Sequence, residues 1–311
     1  MIFNETLTPQ ESLAANGKTF DWARRFLGAK MGTNATRLYA FCRLLDDMAD
    51  DDIPDGPDRL SRIYNNLQLG GYEDDPAYAS FKPFMKEMDF SPVILSALID
   101  GLMQDQADEV CIASESDLLR YAYRVAGTVG LLMCEVLKCD DINANAHAID
   151  LGIGMQLTNI ARDVLEDARM GRRYIPGKWV NNLSPADICI AADYPKSKDA
   201  QLIRASVIRL LSLSEKYYES GAFGYRYLPW RAHFSIAIAA RVYQQIGKQI
   251  LATGIAWHQG RQVTSKITKL RCSLIASRTL LFRLLFLHNS LVRSLSASTD
   301  VGVSILLGGS S

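Results

Sequence analysis

Two stretches of this chain place carboxylates one helical turn apart within otherwise apolar sequence, which restricts the folds open to it. In Gln156–Pro176 (QLTNIARDVLEDARMGRRYIP), Asn159, Asp163 and Asp167 recur every four residues. On an α-helix their oxygens stack along one face. Far upstream, in 39–51 (YAFCRLLDDMADD), Asp46 and Asp50 repeat that spacing, with Asp47 and Asp51 on the neighbouring face. Crowded carboxylates repel one another, so a cation is expected between them. Hard oxygen ligands suit Mg²⁺, which keeps several waters and takes a few carboxylates together with phosphate oxygens. Arg43 lies three residues before Asp46, and Arg162 immediately precedes Asp163. The expectation is two helices facing each other across a cavity, their acids holding Mg²⁺ and the ions and arginines holding a diphosphate. Either cluster alone is equally well a solvated face laced by salt bridges; two matched clusters argue against that.

Composition narrows the partners. Of 311 residues 48% are apolar and 22% charged, enough for a large core and too apolar for general disorder. The net charge is zero, which argues against a nucleic-acid partner, so phosphate recognition has to be local. The six cysteines show no metal-binding spacing, and Cys42, Cys111, Cys134 and Cys189 are expected to act as small buried hydrophobes. The N-terminus (MIFNETLTPQE) reads as neither signal peptide nor anchor, and no apolar run reaches the roughly 18 residues of a membrane span. A reduced, cytoplasmic protein is the expectation.

Helix signals recur along the chain. Asp75-Pro76, Ser91-Pro92 and Ser184-Pro185 read as a cap followed by proline at the first helical position. Period-2 alternation is rare, so strands are not expected. Helices are placed near 18–28, 35–52, 57–69, 76–88, 92–110, 117–138, 144–170, 198–220, 230–257 and 263–296. They amount to an all-α, single-domain bundle of ten or more helices over 1–296, around a central cavity, with a Ser/Gly-rich flexible tail at 297–311.

Further candidates sit on these helices. Lys18 and Thr19, after Asn16-Gly17 and before Phe20, start the first helix, where free N–H groups favour a phosphate; capping by Thr19 with a solvated Lys18 is the simpler alternative. Ala126, Gly127 and Gly130 put small residues in mid-helix, where each glycine costs roughly 1 kcal/mol against alanine. Close helix packing or a ligand tail against the backbone explains them, packing being the commoner cause. Tyr121 beside them can stabilise a cation through its ring. Downstream, the helix with Arg231, Arg241 and Tyr243 and the following segment opening at Arg261 carry basic residues placed to close the far side of a diphosphate site, a solvated surface being the simpler reading of Arg231. In the last helix Arg271, Arg278, Arg283 and Arg293 fall within a sector of roughly 140° opposite Leu274, Leu281 and Leu285, a pattern of a membrane-interface helix or of a core-capping one.

From about Lys18 to Lys269 the chain resembles the phytoene synthase branch of the squalene/phytoene synthase family. YAFCRLLDDMADD, YAYRVAGTVG, QLTNIARDVLEDARMGRRYIP and LPWRAHFSIAIAARVY occur in the family's order, and the third is highly specific. The resemblance implies the isoprenoid synthase fold, with Asp46, Asp50, Asn159, Asp163 and Asp167 as ligands for two or three Mg²⁺ (or Mn²⁺). It implies diphosphate contacts from Asn16, Gly17, Lys18, Thr19, Tyr39, Arg43, Gln156, Arg162, Tyr243 and Arg261, a wall at Phe20, and Tyr121 beside the cationic intermediates. Gly17 departs from the pattern, since relatives often carry a hydroxyl there. The implied reaction joins two geranylgeranyl diphosphates head to head through a cyclopropyl-carbinyl diphosphate, ending in proton loss. No dinucleotide fingerprint is present, so no nicotinamide cofactor is expected. Farnesyl diphosphate coupling to squalene or dehydrosqualene is the nearest alternative, and a non-catalytic membrane-surface assembly factor the alternative of another class. Peripheral membrane attachment is expected from the basic last helix and an apolar product; oligomeric state is not legible.

Overall fold

Capping chemistry sets where many of the helices begin. Asp75 accepts a hydrogen bond from the Ala77 N–H (2.9 Å), Ser114 from Asp117 (3.3 Å) and Ser197 from Ala200 (3.1 Å), while Ser184 and Asp187 form a reciprocal capping box. The structure is a computed structural model that describes residues 18–70, 75–259, 264–265 and 267–277. Its helices are α1 (Lys18–Arg24), α2 (Ala29–Ala49), α3 (Gly56–Leu69), α4 (Pro76–Glu87), α5 (Pro92–Met103) and α6 (Glu115–Ala122). A π-helical turn, Tyr123–Gly127, then leads into α7 (Thr128–Leu137). After these come α8 (Ala144–Arg162), α9 (Val164–Arg169), α10 (Pro185–Asp193), α11 (Lys198–Phe223), α12 (Trp230–Ala252) and α13 over 267–277. The fold is all-α, as expected.

Two elements were not anticipated. A minimal parallel pairing joins β1 (Val110–Cys111) to β2 (Arg172–Arg173). It arises because the chain leaves α5 through a 3₁₀ turn, Gln104–Gln106, seven residues before the expected end of that helix at 110. Cys111 is exposed, not buried, because β1 turns Val110 inward and Cys111 outward. Helix α10 was missed although its Ser184-Pro185 start was recognised. The helix expected over 144–170 is interrupted at Asp163 (φ −105°, ψ 15°), which ends α8 and precedes α9. The one expected over 117–138 contains the π turn. In α13 the inward residues are Lys269, Cys272, Ser273 and Ala276, whereas Leu274 is exposed. Leu274, the residue of the leucine side that falls within the described part, does not pack inward. Asn16, Gly17, Arg261, the arginines after Arg271 in the last helix, and the tail lie outside the described residues.

Helix α8 is the axis of the molecule. It packs along α11, where Thr158 Oγ1 and Tyr218 OH lie 3.0 Å apart in the core. On its other side it meets the π turn and α7 at two glycines. A Cβ at Gly130 would overlap the Ala148 carbonyl, and one at Gly152 the Ala126 carbonyl. Close backbone approach therefore explains the small residues of 126–130. A second core, under α2, is built from Leu38, Phe41, Leu45 and Met48 with Leu60, Ile63, Phe84, Leu95 and Ile99. Its Phe41 and Phe81 rings stack at 3.6 Å.

Candidate active site

Between these two cores lies a cavity of about 910 Å³, near the upper limit for small-molecule sites. One stripe of α8 runs along it: Ala144, His147, Ala148, Leu151, Gly152, Met155, Gln156, Asn159 and Arg162 all line the wall. Their three- and four-residue spacing makes one continuous helix face. At 1.5 Å per residue the stretch from Ala144 to Asn159 spans about 22 Å. The Ala144 end is closed by Leu137, Cys139 and Leu228, and the middle by Leu98, Val129, Met133 and Ile236.

The Asn159 end is polar. Lys18, Thr19 and Phe20 reach it from α1, Tyr39, Arg43 and Asp46 from α2, and Tyr243 from α12. The Phe20 ring contacts the rings of Tyr39 (5.9 Å) and Tyr243 (5.7 Å), fixing three helices around this end. Tyr121 lines the same cavity from α6. Polar residues missed by sequence reading also line it, Thr264 and Lys269 among them. Lys269 is buried and donates to the Lys18 carbonyl (2.9 Å), with burial and the nearby Lys18 charge lowering its pKa. Its signal was available only as one lysine at the start of the last helix.

Asp50, Asp163 and Asp167 do not line the cavity themselves. Asp163 is gripped by Arg162, whose Nε lies 2.7 Å from Oδ1. Asp50 pairs with Arg172 at 2.7 Å, and Arg43 pairs with both Asp46 (2.7 Å) and Asp47. The two acidic stretches come to one place. Arg172 holds Asp50 and also acts electrostatically on Asp167, and Asp105 raises the pKa of both Asp46 and Asp167. Neither Arg172 nor Asp105 was singled out from the sequence.

Burial and crowding show in the titration of these acids. Asp46 is pushed up to about 7, chiefly by burial, with Arg43 pulling down and Asp50, Asp47 and Asp105 pushing up. Its accessible side-chain surface, 42%, opens into the cavity and not only to bulk water. Asp167 is raised well above the carboxylate range by burial and then by Asp163. Asn159 Oδ1 is buried without a hydrogen-bond partner. Among the described residues no three acidic, histidine or cysteine side chains converge into a ready-made metal cage.

A helical cavity with one cationic and acidic end and one long apolar end fits a substrate with a phosphate head and a hydrocarbon tail. A sequence profile of the squalene/phytoene synthases matches residues 13–269. The chain belongs to the squalene/phytoene synthase family. Membership makes it a prenyltransferase of the phytoene synthase type. Similar relatives include a 15-cis-phytoene synthase of Pantoea ananas, 32% identical over 86% of this chain and 89% of the relative. A phytoene synthase of Pseudescherichia vulneris is 33% identical over 84% and 87%. Among solved structures, a dehydrosqualene synthase with bound ligand superimposes with a TM-score of 0.75 at 22% identity, covering 88% of this chain and 95% of that one. A squalene synthase of Alicyclobacillus acidocaldarius gives 0.65 at 18% identity over 79% and 92%. At these identities the structural likeness shows the shared fold. No described helix is long and apolar enough to cross a membrane.

Proposed function

We infer that the protein condenses two geranylgeranyl diphosphates head to head to a forty-carbon hydrocarbon, releasing diphosphate. The observation that carries this is the single α8 stripe, which joins the polar end at Asn159 to the apolar end at Ala144. Its span of about 22 Å exceeds a twenty-carbon prenyl tail, whose sixteen-carbon backbone extends to roughly 19 Å at ordinary bond lengths and angles. A fifteen-carbon tail reaches only roughly 14 Å, leaving the Leu137–Leu228 end unfilled. The relatives named phytoene synthase point the same way.

Mg²⁺ fits the donor set at the polar end: the oxygens are hard, Asn159 Oδ1 lacks a partner, and Asp167 sits among like charges. Asp46 and Asp50 would hold it from α2, and Asn159, Asp163 and Asp167 from the α8–α9 junction. When bound, it supplies positive charge against the departing diphosphate. The chain's own cations, Lys18, Arg43, Arg162 and Lys269, orient that diphosphate and offset its charge as the C–O bond breaks. The apolar walls keep water from the carbocation, and Tyr121 presents its ring and oxygen to it.

Purified protein given equal geranylgeranyl and farnesyl diphosphate with Mg²⁺ tests the reading. Each buried methylene contributes about 0.8 kcal/mol, so the longer substrate is expected to win by more than about tenfold in kcat/KM and to yield the forty-carbon product. A thirty-carbon product formed preferentially overturns the assignment of chain length.

A further inference from the structure

A buried carboxylate lies directly behind the cavity tyrosine, on a residue that no sequence motif marked. Asp105 occupies the 3₁₀ turn after α5 and is 7% exposed. Each of its oxygens takes one phenol: Tyr121 OH donates to Oδ2 at 2.7 Å and Tyr174 OH to Oδ1 at 2.8 Å. The two rings stack at 4.7 Å. The Asp105 carbonyl accepts from Arg172 (3.1 Å), and the same guanidinium nitrogen lies 2.7 Å from Asp50. Tyr121 lines the cavity; Asp105 and Tyr174 do not.

We propose that Asp105 is a positioning residue for the carbocation steps, acting through Tyr121. A phenol has one proton, and Tyr121 spends it on Asp105. Toward the cavity its oxygen therefore presents only lone pairs. The charge behind it polarises the O–H bond, adding negative character to the oxygen and the ring. In a site closed to water, a fixed negative dipole of this kind favours a passing alkyl cation. It also keeps the phenol from donating to the diphosphate, a task left to the lysines and arginines. Tyr174 shares the carboxylate and holds its orientation, and Arg172 ties the arrangement to the Asp50 end of α2. Without Asp105 the Tyr121 hydroxyl loses the acceptor that fixes its proton.

The proposal rests on the prenyl-coupling reading, and a substitution cycle separates the two. Asp105→Asn keeps the shape but removes the charge and offers one acceptor oxygen to two phenols. It is expected to lower kcat by about fifty- to a hundredfold, with KM for the prenyl diphosphate within about twofold. Tyr121→Phe is expected to show a similar loss, and the double variant no more than about threefold beyond it, because the two act as one unit. Asp105→Glu restores the charge and is expected to recover at least about a tenth of wild-type kcat. If the asparagine variant does not fold, Tyr121→Phe carries the test: a reduced kcat at unchanged KM supports the role, and a wild-type kcat overturns it. An Asp105→Asn kcat within about threefold of wild type, or a double-variant loss equal to the product of the single losses, also overturns it. A wild-type enzyme that forms no hydrocarbon from any prenyl diphosphate would instead sink the coupling reading itself.

Discussion

Replacing Asp163 with alanine is expected to lower turnover by at least about a thousandfold, and Asp46→Ala to do the same, with the helical circular-dichroism signal nearly unchanged. The size follows from what each acid does. Asp163 stands between Arg162, which grips it, and Asp167, whose pKa it raises. Removing it takes away a proposed cation ligand and frees the Arg162 guanidinium from the geometry in which it faces the cavity. Asp46 is the acid of the first stretch that lines the cavity, and it is paired to Arg43. Neither side chain fills a core, so the fold does not depend on them. Steady-state assays with dichroism spectra of both variants check this; turnover within tenfold of wild type in either would remove that residue from the machinery.

The second large effect is on stability. Gly152→Val places a branched side chain against the Ala126 carbonyl at the crossing of α8 and the π turn. Backbone cannot step aside as a flexible side chain does, and overpacking of this kind costs about 3 kcal/mol. For a chain of this size the melting temperature is expected to fall by roughly 6–12 °C. Gly32→Ala is the control: it too lies within a helix, and its Cβ would come no nearer than 3.4 Å to a neighbouring atom, so no comparable loss is expected. Thermal melts of the two variants decide the matter. Equal losses would mean that the close crossing is not what the glycine is for.

Helix starts were legible in the sequence because they are local chemistry: Asp75 and Ser184 cap within three residues of themselves. The spacing of Asn159, Asp163 and Asp167 was legible for the same reason, and the backbone hydrogen bonds Asp163 N to Asn159 O and Asp167 N to Asp163 O keep it through the break at Asp163. The break itself left no signature, because a residue at φ −105° can follow the helical path while ending one helix and starting the next. Arg172 and Asp105 could not have been read together, being 67 residues apart. Helix α10 was passed over despite its start signal because nine residues give too few turns for a period to stand out. The choice between the two readings of the last helix was equally hidden, since it is small residues, Cys272 and Ala276, that turn inward there while Leu274 faces outward.

The account depends on both acidic stretches serving one diphosphate–cation site, and thermal stabilisation by Mg²⁺ with inorganic diphosphate tests this without catalysis. Wild-type protein is expected to gain melting temperature only when both are present. The gain should be larger at about pH 8 than at about pH 6, because Asp46, pushed up to about 7, binds a cation only once it has lost its proton. Asp46→Ala and Asp163→Ala should each lose the gain, one from each stretch. A full gain retained in both variants would contradict the account.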